Sequence, residues 1–410
     1  MTRRRIALIL GIRPDVIRAS LVINGLRALD DIDLRFIWSG QHYSDNLKDV
    51  FFRELDVAPP DLELGARGET DAEVSSDVIR KLYPVLEELD PMAAVFLGDT
   101  NTVVGSLAAA QLNIPVVHIE GCMRAYDWRM PEEKYRTTID HLSDVIYTYF
   151  PEYLDQAVAE GLNPRNIVLV QNLIVDVLET YYFARKDDYD RMADPAFFAQ
   201  RGIERGNYYL MTCHRRENVH IQSSLEAIVS LIDAADAPVY FPASYRTQKQ
   251  LAAYDIRLPA HVTMVDPIGY QEMLILMADA KAVITDSGTV VEETAVLGVP
   301  SVQMRKATER PQVYDCRSSV KFDPARPDDY PADVVFAKLR RLAETTWEHG
   351  LGDGKASQRI VDDLARRARE DDFRGHLPEQ YHLDIRRSYR EDGLDDLVAS
   401  RDAAASVETG

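Results

Sequence analysis

Short apolar runs alternate with amphipathic segments along almost the whole chain. "RIALILG" (5–11), "LRFIWSG" (34–40), "AAVFLG" (93–98), "PVVHIE" (115–120), "DVIYTY" (144–149) and "NIVLV" (166–170) read as buried strands. Helical patterns lie between them, for example at 71–89, 102–111 and 151–160. A second series follows: "YYLMTC" (208–213), "APVYFPA" (237–243), "VTMVD" (262–266), "AVITD" (282–286) and "PSVQM" (300–304). Strand–helix alternation predicts parallel sheets covered on both faces. Two such series predict an α/β protein with two doubly wound, Rossmann-like domains. The boundary falls in the polar, helical, strand-free stretch 172–206, giving domains of 1–175 and 176–355. Residues 386–410 are charged, then rich in Ala and Ser, and are expected to be a flexible tail.

Length agrees with two domains, because 410 residues exceed what one core usually serves. A net charge of -20 argues against sequence-independent nucleic-acid binding, which needs a basic face. The opening "MTRRRIALILGIRPD" has arginines before an apolar run, but no small-residue cleavage site follows, so it reads as a first strand. No segment has the roughly 18 consecutive apolar residues of a membrane span. Cys122, Cys213 and Cys316 are odd in number and far apart, which suits a reducing cytoplasm and neither a disulfide scaffold nor a zinc site.

Open parallel sheets bind ligands beyond the carboxyl ends of their strands, and two facing sheets share one cleft. The residues just after each strand therefore matter most. Gly11-Ile12-Arg13-Pro14-Asp15 follows the first; Arg13 at a helix start suits a phosphate, or simply caps a surface turn. It is neither a P-loop nor a GxGxxG fingerprint, so no ATP or NAD cofactor is indicated. Gly40-Gln41-His42 lines the cleft or forms a polar turn. Asp99 follows the third strand, where a helix N-cap is the ordinary fate. Glu120 ends a strand that should be buried, two residues beyond His118 on the same face; a structural His–Glu pair is the plain alternative. Glu132 and Glu133 follow Pro131, as is usual at a helix start. Together, Asp99, Glu120 and Glu132 suggest a catalytic cluster, since crowded carboxylates raise one another's pKa. In the second series, His214-Arg215-Arg216 suits a diphosphate, or a solvated arginine pair. Ser287, Gly288 and Thr289 form a turn at a helix start, where free amides attract an anion. Glu292 and Glu293 project about 100° apart, so one of them can reach a ribose diol.

These residues form a pattern. "GIRPDVIR", "GQH", "LGDTNT", "HIEGCMR" through "PEEKYR", "HRREN", "DP" at 266–267, "TDSGTVVEE", "ATERP" and "GDGKAS" resemble, in order, the non-hydrolysing UDP-N-acetylglucosamine 2-epimerases over about residues 5 to 365. The resemblance implies a glycosyltransferase-B architecture, with a helix in about 356–385 packing back on the first domain. It implies epimerisation at carbon 2 of a UDP-sugar through a glycal, without metal or other cofactor, in a cytoplasmic homodimer. Asp99, Glu120 and Glu132 match the family's catalytic acids, and His214 its histidine near the diphosphate. Arg13, Arg18, Ser287, Gly288, Thr289 and Arg310 match substrate-binding positions, and Glu293 the ribose-binding carboxylate.

Departures narrow the reading. Ile12 and Asp15 replace Thr and Glu, Gly121-Cys122-Met123 replaces Ala-Gly-Leu, and Thr289 replaces a glycine. Gln171-Asn172-Leu173 stands in place of Gly-Asn-Thr. Ser244 and Asp77 stand where substrate-activated bacterial members have an effector-binding histidine and arginine, which argues against allosteric activation. The "SGT" turn and "MRAYDWRMPEE" are more similar to branches acting on other UDP-N-acetylhexosamines. A hydrolysing epimerase, a glycosyltransferase on the same scaffold and a non-catalytic nucleotide-sugar binder are the competing readings.

Overall fold

A computed structural model describes residues 4–40 and 52–376. Gln41, His42 and the expected tail at 386–410 lie outside the described residues. Strands β1 (Arg4–Leu10), β2 (Ile32–Trp38), β3 (Leu62–Glu63), β4 (Ala93–Leu97), β5 (Val116–Ile119), β6 (Val145–Thr148) and β7 (Ile167–Leu169) form one sheet, in the order β3-β2-β1-β4-β5-β6-β7. Strands β8 (Tyr209–Thr212), β9 (Val239–Pro242), β10 (Val262–Val265), β11 (Ala282–Thr285), β12 (Ser301–Met304) and β13 (Ser319–Phe322) form the other, in the order β10-β9-β8-β11-β12-β13. Every strand pair is parallel. Strand order reverses at β1/β4 and at β8/β11, and a crevice opens beyond the carboxyl ends at such switch points.

The apolar runs became strands because both sheet faces are covered. Ile6, Leu8 and Leu10 enter one core, while Ala7 and Ile9 between them enter another. In β8, Tyr209 and Met211 face a core of the second half, while Leu210 joins the same cluster as Ile6. One continuous apolar core therefore touches one face of each sheet. β3 and β13 have no counterpart among the apolar runs. β3 is two exposed residues, and β13 carries only Val320 and Phe322 as apolar positions.

From β7 to β8 the chain is helical, at Leu173–Tyr181, Lys186–Met192 and Pro195–Ala199. Helix Ala356–Glu370 returns to pack against helix Arg13–Arg27, burying Ile360, Val361, Leu364 and Ala368. Asp176 accepts its first amides, from Ala356 (3.2 Å) and Ser357. The two crossings between halves touch: the Asn172 amide donates to the Leu351 carbonyl (3.1 Å), and the Asp353 amide to Gln171 Oε1 (3.0 Å). Among the described residues, no helix is long and apolar enough to cross a membrane.

Candidate active site

At the edge of the first sheet, β4 leads through Gly98 to Asp99. Thr100, not Asp99, caps the short helix Asn101–Gly105 by accepting the Thr102 amide. The Asp99 carboxylate is left to pair with Arg136. Burial opposes its charge, but Arg136 and then Arg215 outweigh that and hold the carboxyl below its usual range.

Glu120 follows β5 with φ +73, a left-handed conformation that ends the strand's alternation. Its side chain therefore does not share a pair with His118. His118 is buried, with Nδ1 2.6 Å from Asp140 Oδ1 and Nε2 2.8 Å from the Gly98 carbonyl. Asp140 also accepts the Cys122 amide (2.9 Å) and Arg124 (2.7 Å), fixing the turn after Glu120. Glu120 itself lies between two guanidinium groups, those of Arg18 and Arg310, which come from opposite halves. Arg18 also donates to Asp15 (2.8 Å). Burial pushes the Asp15 carboxyl up to about 6 despite Arg18. Asp15 reaches back to the amides of Gly11 (3.4 Å) and Ile12 (3.3 Å), so part of this helix start is occupied by its own side chain. Arg13 opens the same helix and is half-buried.

Glu132 and Glu133 divide their tasks. Glu133 is buried and accepts the amides of Ala125 (3.0 Å) and Tyr126 (2.9 Å), bracing the loop before helix Pro131–Leu142. Glu132 is half-buried; burial raises its carboxyl, Arg215 opposes the rise and the Asp99 charge adds to it.

At the edge of the second sheet, buried Asp286 accepts the amides of His214 (3.0 Å) and Arg215 (2.9 Å), tying the end of β8 to the end of β11. His214 Nδ1 lies 3.3 Å from Asp286, with about half of the imidazole exposed (47%). Ser287 caps helix Gly288–Leu297 by accepting the Val290 amide (3.4 Å), and Thr289 is half-buried in its first turn. A Cβ at Gly288 would lie 2.6 Å from Arg310 Nε, so this glycine makes room for the arginine. Arg310 donates to Glu292 (2.7 Å), as does Asn172 (2.7 Å). Glu293 turns the other way and accepts the Tyr270 hydroxyl (2.8 Å). Burial, with Glu292 beside it, pushes the Glu293 carboxyl up to about 8 against that hydrogen bond.

Asp99, Glu120 and Glu132 thus share one sheet edge, and Arg18 and Arg310 converge on Glu120. Ser287, Gly288 and Thr289 head the facing helix, while Glu293 is drawn into the interior. Arg136 and Glu309 stand out beyond the sequence reading, and Arg215 takes a part beside the diphosphate role expected of it. Arg136 pairs with Asp99 and sits four residues after Glu132, a spacing that places both on one helix face. Arg215, which follows β8 of the second sheet, lowers the proton affinity of both Asp99 and Glu132. Glu309, next to Arg310, is buried yet held well below its usual range, because Arg305 (2.8 Å) and Arg215 outweigh burial. Among the described residues, no group of three His, Cys, Asp or Glu side chains could hold a metal ion.

Similar proteins share this frame. The sequence model of UDP-N-acetylglucosamine 2-epimerase matches residues 24–365. The UDP-N-acetylglucosamine 2-epimerase of Methanocaldococcus jannaschii is 32% identical over 367 residues, spanning 87% of this chain and 98% of that protein. The UDP-2,3-diacetamido-2,3-dideoxy-D-glucuronate 2-epimerase of Pseudomonas aeruginosa is 30% identical over 375 residues, spanning 88% and 99%. The crystal structure of the M. jannaschii enzyme with UDP-GlcNAc and UDP matches with a TM-score of 0.80 at 31% identity, over 88% of this chain and 99% of that one. The chain belongs to the UDP-N-acetylglucosamine 2-epimerase family, isomerases with a glycosyltransferase-B-like fold.

Proposed function

We propose that the protein inverts carbon 2 of UDP-N-acetylglucosamine or a related UDP-N-acetylhexosamine by eliminating UDP to a glycal and adding it back. The observation that carries this is the opposite tuning of two neighbouring carboxyls. Asp99 is held ionised by Arg136 and Arg215, while Glu132 is pushed toward its protonated form. A pair tuned apart in this way supplies a base and an acid in one site. Asp99 takes the proton from carbon 2, and a double bond forms between carbons 1 and 2. The bond from carbon 1 to the diphosphate oxygen breaks, and its electron pair leaves with UDP. Glu132 then delivers a proton to the opposite face of carbon 2, and UDP re-adds at carbon 1. Glu120 is the anion that faces positive charge at carbon 1. Arg13, Arg18, His214, Arg310 and the turn Ser287-Gly288-Thr289 hold the diphosphate. Glu293 meets the ribose once its Tyr270 hydrogen bond opens. The two sheets act as separate domains divided near residue 175, and closing them excludes the water that would trap the glycal.

The relative from P. aeruginosa gives a second substrate weight, so the test is a panel. UDP-GlcNAc and UDP-2,3-diacetamido-2,3-dideoxy-glucuronate are each incubated with the protein in D2O. An epimerised UDP-sugar carrying deuterium at carbon 2 is the expected product. Free sugar would indicate a hydrolysing enzyme, transfer only with an acceptor a glycosyltransferase, and binding alone a sensor. Asp99→Asn should slow exchange by about a thousandfold, the scale of losing one acid–base group, while UDP still binds. Undiminished turnover would remove Asp99 from the chemistry.

A further inference from the structure

We infer that the protein's own Glu120 occupies the diphosphate cradle of Arg18 and Arg310, between the two halves, until substrate arrives. This rests on the UDP-sugar reading above. The two oxygens of Glu120 are divided between the arginines: Oε2 meets Arg18 Nη1 and Oε1 meets Arg310 Nη2. The three side chains are at most 6% exposed. The cradle is built rather than incidental, because a glycine backs each guanidinium. A Cβ at Gly98, whose φ is +79, would lie 3.2 Å from Arg18 Nη2, and one at Gly288 would lie 2.6 Å from Arg310 Nε.

Each arginine is also anchored away from Glu120. Arg18 holds Asp15 at 2.8 Å, and Arg310 holds Glu292 at 2.7 Å. These anchors come from helices, Arg13–Arg27 and Gly288–Leu297, whose geometry is fixed. Glu120 comes instead from a turn, in which it and Cys122 both have positive φ. Asp140 holds that turn, but the Glu120 side chain can swing from it, so the edge facing Glu120 is the exchangeable one. Planar guanidinium edges accept a carboxylate or a phosphate in the same way. Asp15, Glu120 and Glu292 already outnumber the two cations, so a diphosphate added without displacing an anion meets net repulsion. The incoming diphosphate takes the two arginine edges, and Glu120 is released toward the sugar. The carboxylate that faces the anomeric carbon is thus freed only when a leaving diphosphate is in place.

The experiment is calorimetry of UDP and uridine binding to the full chain, with Glu120→Gln, Arg310→Gln and the double variant. Removing the internal anion should tighten UDP binding by about tenfold, the scale of one buried charge pair, and leave uridine unchanged. Adding Arg310→Gln should erase that gain. Unchanged or weaker UDP binding by a folded Glu120→Gln, with uridine affinity unchanged, overturns the inference. Should that variant not fold, a crystal structure of the unmodified chain with UDP decides. Arg18 and Arg310 on phosphate oxygens support the inference, and both arginines still on Glu120 beside bound UDP overturn it. Failure of the unmodified chain to bind UDP at all would count against the proposed function instead.

Discussion

The two sheet edges are built alike and used differently. At the first, Asp99 keeps 19% of its side chain open, and its neighbour Glu132 is half-buried. At the second, Glu292 and Glu293 are sealed at 1% and 3% exposure. Both edges place carboxylates beyond parallel strands, and both surround them with arginines. The first leaves Asp99 and Glu132 partly open and moves their proton affinities in opposite directions, while Glu120 is closed between Arg18 and Arg310. The second commits Glu292 to Arg310 and Asn172, and Glu293 to Tyr270. A carboxylate beyond a strand is open to a ligand when its partners leave it a free side, as at Asp99 and Glu132, or when a ligand takes those partners, as inferred for Glu120.

Three substitutions press on that contrast. The largest effect should come from Arg310→Met, which strips a shared partner from Glu120 and Glu292 and leaves both carboxylates buried. A loss of about 3–5 kcal/mol in urea unfolding is expected, the cost of breaking a buried pair on one side. A loss under about 1 kcal/mol would show that the arginine is not structural. Next is Glu293→Gln. The folded value of Glu293, about 8, lies above the ordinary 4.5, so the folded state binds this proton more tightly than the unfolded chain. Its contribution is complete below the unfolded value and is lost as pH rises toward 8, by about 1.4 kcal/mol per pH unit. Glu293→Gln removes that slope, so its urea midpoint should gain on the parent between pH 5 and 8; parallel curves would refute the assignment. The smallest effect belongs to Arg216→Gln. Arg216 pairs with Asp71 across the two halves, but the side chains are 40% and 25% exposed. The cost should stay below about 1 kcal/mol and fade in high salt.

Much of this was readable along the chain. The apolar runs marked β1 because every one of its residues from Ile6 to Leu10 is buried, whereas β13, with Lys321 half-exposed, gave a weaker signal. Asp99 and Glu120 were legible as charges placed where strands should end, and Glu132 as one at a helix start. Their pairings were not: Arg310 was matched to substrate rather than to Glu120, and Arg136 comes from a helix whose approach depends on packing. Asp140, the partner of His118, lies 22 residues further along, and no periodicity links the two. Glu120 was placed on the face of His118 by strand alternation, which assumes that φ stays negative; one positive angle broke the rule. Gly288 was read as part of an anion-binding turn; that it also makes room for the Arg310 guanidinium shows only in the folded chain.

The touching pair of crossings has a mechanical consequence. The chain passes between halves at 171–176 and again at 351–357, and the two passages are stitched together by the Asn172–Leu351 and Gln171–Asp353 hydrogen bonds and by Asp176 on the last helix. Two pins set side by side permit swinging about one line and resist twisting about any other. On the proposed closing of the halves the hinge would be that line, and Arg310 would approach Glu120 along a single arc.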